Sequence, residues 1–301
     1  MPPKDSLNSA GNEMRRYSQG KDVPPAGTPM ARVGLAFHEG FSFVRSAVAE
    51  VLSVARSKVP GEKLDFKLLR RETTLGRNYI KAMPRYCVGA GLLDHKNELT
   101  ALGRRVSEFD PHLERLETLW LCHYNLSAIE GPGPEFWHLL VANHLHMGEE
   151  LRTPALGDVL RLFAAGNGNP VAERTAFTAA SVFLGTYARS ECLGGLCILE
   201  SRDAGTYLVK DVCSPPPLVF AYVVSDYWQR YLANQTSVWI DEFNKDGGPT
   251  EVLLMGLGQV NFAMRELSRM GIATVQLTQP PFQFSPLWKK REEILDRIYG
   301  N

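Results

Sequence analysis

At 301 residues, 44% hydrophobic and 22% charged, with 33 Lys and Arg balanced by 33 Asp and Glu, the chain has the composition of an ordinary globular protein long enough for two or three modules. Zero formal net charge argues against a general polyanion binder. No apolar run reaches membrane-spanning length, residues 1–30 lack the apolar core of a signal peptide, and the five cysteines include no C-x-x-C pair, so a cytoplasmic protein with reduced thiols is expected.

Charge is unevenly spread along the chain. Residues 56–105 hold twelve Lys and Arg against five acids, a balance of +7, whereas residues 106–160 hold two against nine, a balance of −7. A basic module therefore abuts an acidic one.

Residues 1–30 are rich in Pro, Gly, Ser and charge and poor in large apolar side chains, and a disordered tail is expected there. FHEGFSFVRSAVAEVLSVARSK then supplies an amphipathic helix, with Val44, Val48, Val51, Leu52 and Ala55 on its buried side. Over 63–106 two short helical patterns, a tight turn and a hairpin-like tail follow one another, which predicts a basic winged helix-turn-helix domain over 31–110.

In its second helix Leu75, Tyr79, Met83, Cys87 and Ala90 are spaced to face a core, while Arg77, Lys81 and Arg85 recur every four residues on the other side with Asn78 alongside. Thr73 or Thr74 is the expected N-cap, Gly91 the expected left-handed C-terminal residue, and Pro84 should kink the helix or shorten it. Residues 94–97 read as the tip of a wing, and Thr100 as the cap of a short helix carrying Arg104 and Arg105. The expected DNA-binding residues are Arg70, Arg71, Arg77, Asn78, Lys81 and Arg85 on the contact helix and its approach, with His95 and Lys96 on the wing.

An acidic helical connector is expected over 111–150, where Trp120, Tyr124, Phe136 and Trp137 lie in apolar helical patterns and read as packing residues. Residues 151–213 repeat the order helix, turn, helix, hairpin and predict a second winged-helix-like domain. Its second helix has cations only near its ends, at Arg174 and Arg189, so partner contact or support suits it as well as base reading. Residues 214–301 predict a C-terminal helical domain with a hairpin around Pro280 and Pro281, which leaves a third, degenerate winged helix open. The fold class is thus mainly α with small β-hairpins, as tandem winged helix-turn-helix modules joined by helices.

Little points to catalysis. His38 and Glu39 have no second histidine at helical distance, and Gly256 and Gly258 belong to neither a dinucleotide fingerprint nor a phosphate loop. His138, His144 and His146, with Glu149 and Glu150 nearby, are the densest candidate for a metal or an enzyme site. No catalytic residue, cofactor or metal is predicted.

FHEGFSFVR, LGRNYIKAMPRYCVGAGLL followed by LTALGRRV, LETLWLCHYNLS, RTAFTAASVFLGTY and PPPLVFAYVVSDYW, in that order over about residues 35–300, together resemble the bacterial domain of unknown function 4007. The resemblance implies association with DNA sulfur modification (phosphorothioation) and phage-defence genes, as an accessory DNA-binding or assembly subunit and not the enzyme. It also implies a role beyond local packing for His38 and Arg45, which fall in its first motif. The expected partners are double-stranded DNA and protein subunits of such a system. The alternative is a protein-interaction scaffold, its winged helices docking on partner proteins or on another copy of the chain.

Overall fold

A computed structural model describes residues 34–59, 61–276 and 282–300. The tail predicted for 1–30 and the Pro-Pro turn lie outside the described residues. The fold is mainly helical, with two small three-stranded antiparallel sheets. No helix among the described residues is long and apolar enough to cross a membrane.

The first segment is built from α1 (Arg45–Ser57), α2 (Phe66–Glu72), α3 (Arg77–Gly89) and α4 (Ala101–Phe109). In α1 the expected apolar side is buried through Val48, Val51, Leu52 and Ala55, while Val44 is half-buried and precedes the first turn. Asp65 caps α2 by accepting the Leu68 N–H at 2.9 Å. Neither threonine caps α3, contrary to expectation. The Thr73 hydroxyl donates back to Leu69 O at 2.6 Å, and Thr74 donates its N–H and hydroxyl to Glu50 of α1 at 2.7 and 3.0 Å. Both hydroxyls being engaged, extended Gly76 starts the helix with no side-chain cap. Pro84 does not shorten α3, which continues to Gly89. Gly91 does adopt positive φ (+71°).

After it a single antiparallel bridge, Leu93 to Leu99, closes the 94–97 turn, and Asp94 Oδ1 accepts the N–H groups of Lys96 and Glu98. Thr100 caps α4 as expected, accepting from Gly103 N at 2.9 Å. Gly103 lets α4 cross this turn, since a Cβ there would stand 1.9 Å from Leu92 O. Gly103→Ala should therefore destabilise the protein by about 2 kcal/mol, read as a lower urea midpoint; an unchanged midpoint would show that the crossing has slack.

Helices α5 (Leu116–Ser127) and α6 (Glu135–His144) follow, and Trp120, Phe136 and Trp137 are fully or nearly fully buried, with Tyr124 close behind. Their aromatics join rings from before and after them: Trp137 meets Phe37 at 6.0 Å between centroids and Phe183 at 5.1 Å. A buried polar chain runs through this cluster. Trp137 Nε1 donates to the Tyr187 hydroxyl (2.8 Å), which donates to His123 Nδ1 (2.8 Å), and His123 Nε2 donates to Val252 O (2.7 Å), directions fixed because a carbonyl only accepts.

Two further segments share one order of elements. In the first, α6 leads to β1 (Glu150–Arg152), α7 (Thr153–Gly166), α8 (Glu173–Ala188) and the hairpin β2 (Leu199–Asp203) and β3 (Thr206–Val209), with sheet order β1-β3-β2. In the second, α9 (Pro217–Tyr231) leads to β4 (Val238–Trp239), a 3₁₀ turn, α10 (Pro249–Val252), α11 (Leu257–Arg269) and the strands β5 (Ala273–Gln276) and β6 (Gln283–Pro286), with sheet order β4-β6-β5. In both, the short strand before the helix pair joins the last strand of the hairpin.

Helix α12 (Arg291–Tyr299) packs on α9 and back on the first part of the chain. Arg105 of α4 pairs with Asp296, the Arg115 guanidinium donates to Ile298 O (2.7 Å), and the hydroxyls of Thr118 and Tyr299 bond at 2.8 Å. Asp226 of α9 is buried, accepts from the Tyr124 hydroxyl at 2.5 Å, and is paired with Arg230 and with Arg291 at the start of α12.

Candidate nucleic-acid interface

Helix α3 has two chemically distinct faces. Ile80, Met83, Tyr86 and Cys87 are buried, and the Tyr86 hydroxyl donates to Phe41 O at 2.8 Å, which fixes the helix against the chain ahead of α1. Arg77, Asn78, Lys81 and Arg85 are exposed. Arg77 and Lys81 are one turn apart on one side of the helix, at its N-terminal half, where unpaired backbone N–H groups add partial positive charge. Arg70 is exposed at the end of α2, and His95 and Lys96 are exposed on the 94–97 turn.

The cations differ in what surrounds them. Arg85 pairs with Glu39 at 2.9 Å and donates to Phe37 O at 3.1 Å. Arg71 lies between Glu72 (2.6 Å) and Glu62 (3.5 Å). By contrast Arg70, Arg77, Lys81 and Lys96 form no side-chain ion pair with a described residue. Lys67, absent from the expected set, is likewise exposed with no ion pair to a described residue, and its spacing of three from Arg70 on α2 is the signal that would have found it. Five exposed cations of this module, Lys67, Arg70, Arg77, Lys81 and Lys96, thus carry charge that no described carboxylate compensates. Such groups can neutralise phosphates, and Arg77, Asn78 and Lys81 carry the donors that base edges accept.

His38, Arg45 and His138 are each held by hydrogen bonds of the fold. His38 is buried, and its Nδ1 accepts the Gly40 N–H at 2.9 Å. Arg45 donates to Leu113 O (3.1 Å) and Ser190 O (2.7 Å), tying three distant stretches together. His138 Nδ1 bonds Ser127 O at 2.8 Å, and exposed His146 lines a shallow groove of about 310 Å³ with Met147, Leu254 and Met255. Among the described residues no group of three or more His, Cys, Asp or Glu side chains is placed to hold a metal ion.

Burial holds both His38 and His123 at a pKa of about 4, so each is neutral at pH 7. Their folded values lie below the unfolded value of about 6.5, so the stability each contributes is complete above pH 6.5 and is lost as pH falls toward 4. His123 alone should cost about 2 kcal/mol by pH 5, and Tm should fall between pH 7 and pH 5; a constant Tm would show that these imidazoles ionise freely in the folded chain.

The family described as "Protein of unknown function (DUF4007)" matches residues 70–299. The chain belongs to this DUF4007 family. No curated protein matches it. Two solved structures share the fold of this DUF4007 chain, titled "SspB crystal structure" and "Magnesium ion-bound SspB crystal structure", each 18% identical in sequence with a TM-score of 0.73, covering 89% of this chain and 88% of that chain.

Proposed function

We propose that the protein is a non-enzymatic, double-stranded-DNA-binding accessory subunit of a bacterial DNA-modification or phage-defence system, one that carries out DNA phosphorothioation. It contacts the duplex through a winged helix-turn-helix over 31–110, with α3 as the helix entering the major groove and the 94–97 turn as its wing. The single observation that carries this reading is the exposed set Arg70, Arg77 and Lys81, without an ion pair to any described residue, standing where α2 leads into α3 while the neighbouring Arg71 and Arg85 are neutralised by carboxylates. Membership of DUF4007 and the fold shared with SspB support the choice of system.

The order helix, strand, two helices, hairpin, with the first strand paired to the last, also supports winged helices over 151–213 and 214–301, joined to the basic module by the acidic connector over 111–150. The test is duplex binding by fluorescence anisotropy across a salt series, with Arg77→Ala/Lys81→Ala alongside. Loss of affinity and a shallower salt slope are expected; wild-type behaviour of the variant would end this reading.

A second reading applies to the other two modules. At the places corresponding to α3, helices α8 and α11 expose Phe177 (46%), Leu257 (72%) and Phe262 (57%) beside fewer cations that lack an ion pair to a described residue. Exposed apolar side chains on such helices suit docking on protein subunits, so the chain would serve as a scaffold through these faces while the first module holds DNA.

A further inference from the structure

We propose that Cys197 and Cys213 are a reversible redox pair, a modification site at which a hydroperoxide installs an intramolecular disulfide across the base of the β2–β3 hairpin. The five cysteines fall into two groups. Cys87, Cys122 and Cys192 are buried, and burial pushes all three thiols up, Cys192 to about 12, which suppresses the reactive thiolate. Cys197 is exposed and Cys213 half-buried, and their sulfur atoms are 2.8 Å apart, closer than two sulfurs that merely touch.

The backbone holds them there. Cys197 directly precedes Ile198 and strand β2, and Cys213 follows strand β3; Lys210 N donates to Ile198 O (2.9 Å) and Cys213 N donates to Leu196 O (3.0 Å), so the hairpin ladder continues to the two thiols. Cys197 itself has left-handed φ (+59°), a conformation that non-glycine residues seldom keep without a reason in the surrounding structure.

Their unequal exposure assigns the order of events. Cys213 donates its S–H to the Cys197 sulfur, and that bond together with partial burial pushes Cys213 up to about 11. Cys197, the exposed sulfur of the pair, is the one a peroxide in solution reaches first and is the attacking sulfur. Its thiolate attacks one peroxide oxygen, the O–O bond breaks, and a sulfenic acid forms as hydroxide leaves and takes up a proton to give water. The Cys213 sulfur then attacks the sulfenic sulfur, the S–O bond breaks, the S–S bond forms, and a second water leaves with the Cys213 proton. Two thiols give up two electrons, and one hydrogen peroxide becomes two waters. The crosslink spans sixteen residues of sequence and includes the residue whose carbonyl accepts from Trp120 Nε1 at 3.1 Å, so oxidation pins the hairpin to α5.

The full chain is treated with hydrogen peroxide, alkylated and digested with trypsin, and the peptides are identified by mass spectrometry. The expected species joins peptide 190–202 to peptide 211–230, lacks two hydrogens, and disappears on dithiothreitol treatment. Because peptide 190–202 also contains Cys192, three variants assign the bond: Cys192→Ser keeps the linked species, while Cys197→Ser and Cys213→Ser each abolish it. The oxidised wild-type chain should also melt a few degrees higher than the reduced one. Full alkylation of both thiols after peroxide, a link through Cys192, or a link between two chains would each overturn the proposal. The wild-type peptide map decides the question even where a serine variant fails to fold.

Discussion

Arg77→Ala/Lys81→Ala is expected to lower affinity for a mixed-sequence duplex about 100-fold near 0.1 M salt and to reduce the slope of log K against log salt by about two units, given roughly 0.9 units per neutralised phosphate. Both side chains are exposed on one side of α3 with no ion pair to a described residue, so their loss removes charge without uncovering a buried described partner. The fold should survive, because the packing of α3 is carried by Ile80, Met83, Tyr86 and Cys87 on its other face. Arg85→Ala is the instructive control. Its guanidinium is already held by Glu39 and Phe37 O, so its removal should change the salt slope by well under one unit while loosening the loop ahead of α1. Equal effects from Arg85 and from the Arg77 and Lys81 pair would mean that bulk charge, and not the α3 face, carries binding.

Asp226→Ala is expected to destabilise the fold by about 3–5 kcal/mol, the largest stability loss from a single side chain anticipated here. Asp226 is 4% exposed and receives three donors, from Tyr124, Arg230 and Arg291. Removing the carboxylate leaves two guanidinium groups facing one another in a poorly solvated place and orphans the Tyr124 hydroxyl. Arg291 also lies over the Tyr222 ring, so it cannot swing to water without losing that contact. Asp226→Asn keeps the shape and one acceptor oxygen, and should recover part of the loss. Chemical denaturation reads both variants; an alanine variant within 1 kcal/mol of wild type would show that solvent reaches the cluster.

Much of the helical skeleton was legible in the residue pattern. The order helix, turn, helix expected at the start of 151–213 is met by α7 and α8, which lie on either side of a Gly- and Asn-rich turn. The strand pairs β2–β3 and β5–β6 were signalled by short apolar-rich runs on either side of turn residues. Strands β1 and β4 were not, because three and two residues are too short to show alternation and each exists only through its partner β3 or β6.

At the candidate interface, spacing identified the exposed stripe of α3 but could not sort its cations. Glu39 neutralises Arg85 across 46 residues of sequence, and Glu62 reaches Arg71 from outside its helix. Such pairings are products of tertiary placement. The same is true of Thr73 and Thr74, whose hydroxyls suit an N-cap locally but are taken by Leu69 O and by Glu50.

The latch between α12 and the α4–α5 region also bears on the order in which the protein can be assembled. Thr118 meets Tyr299 across 181 residues and Arg105 meets Asp296 across 191. During synthesis the near ends of these contacts emerge long before the far ends, so one side of α4 and α5 stays wet until α12 arrives. Closing so long a loop is entropically costly and slow compared with making neighbouring contacts. The basic module thus acquires its own helices early and its last supporting wall late, from the far end of the fold.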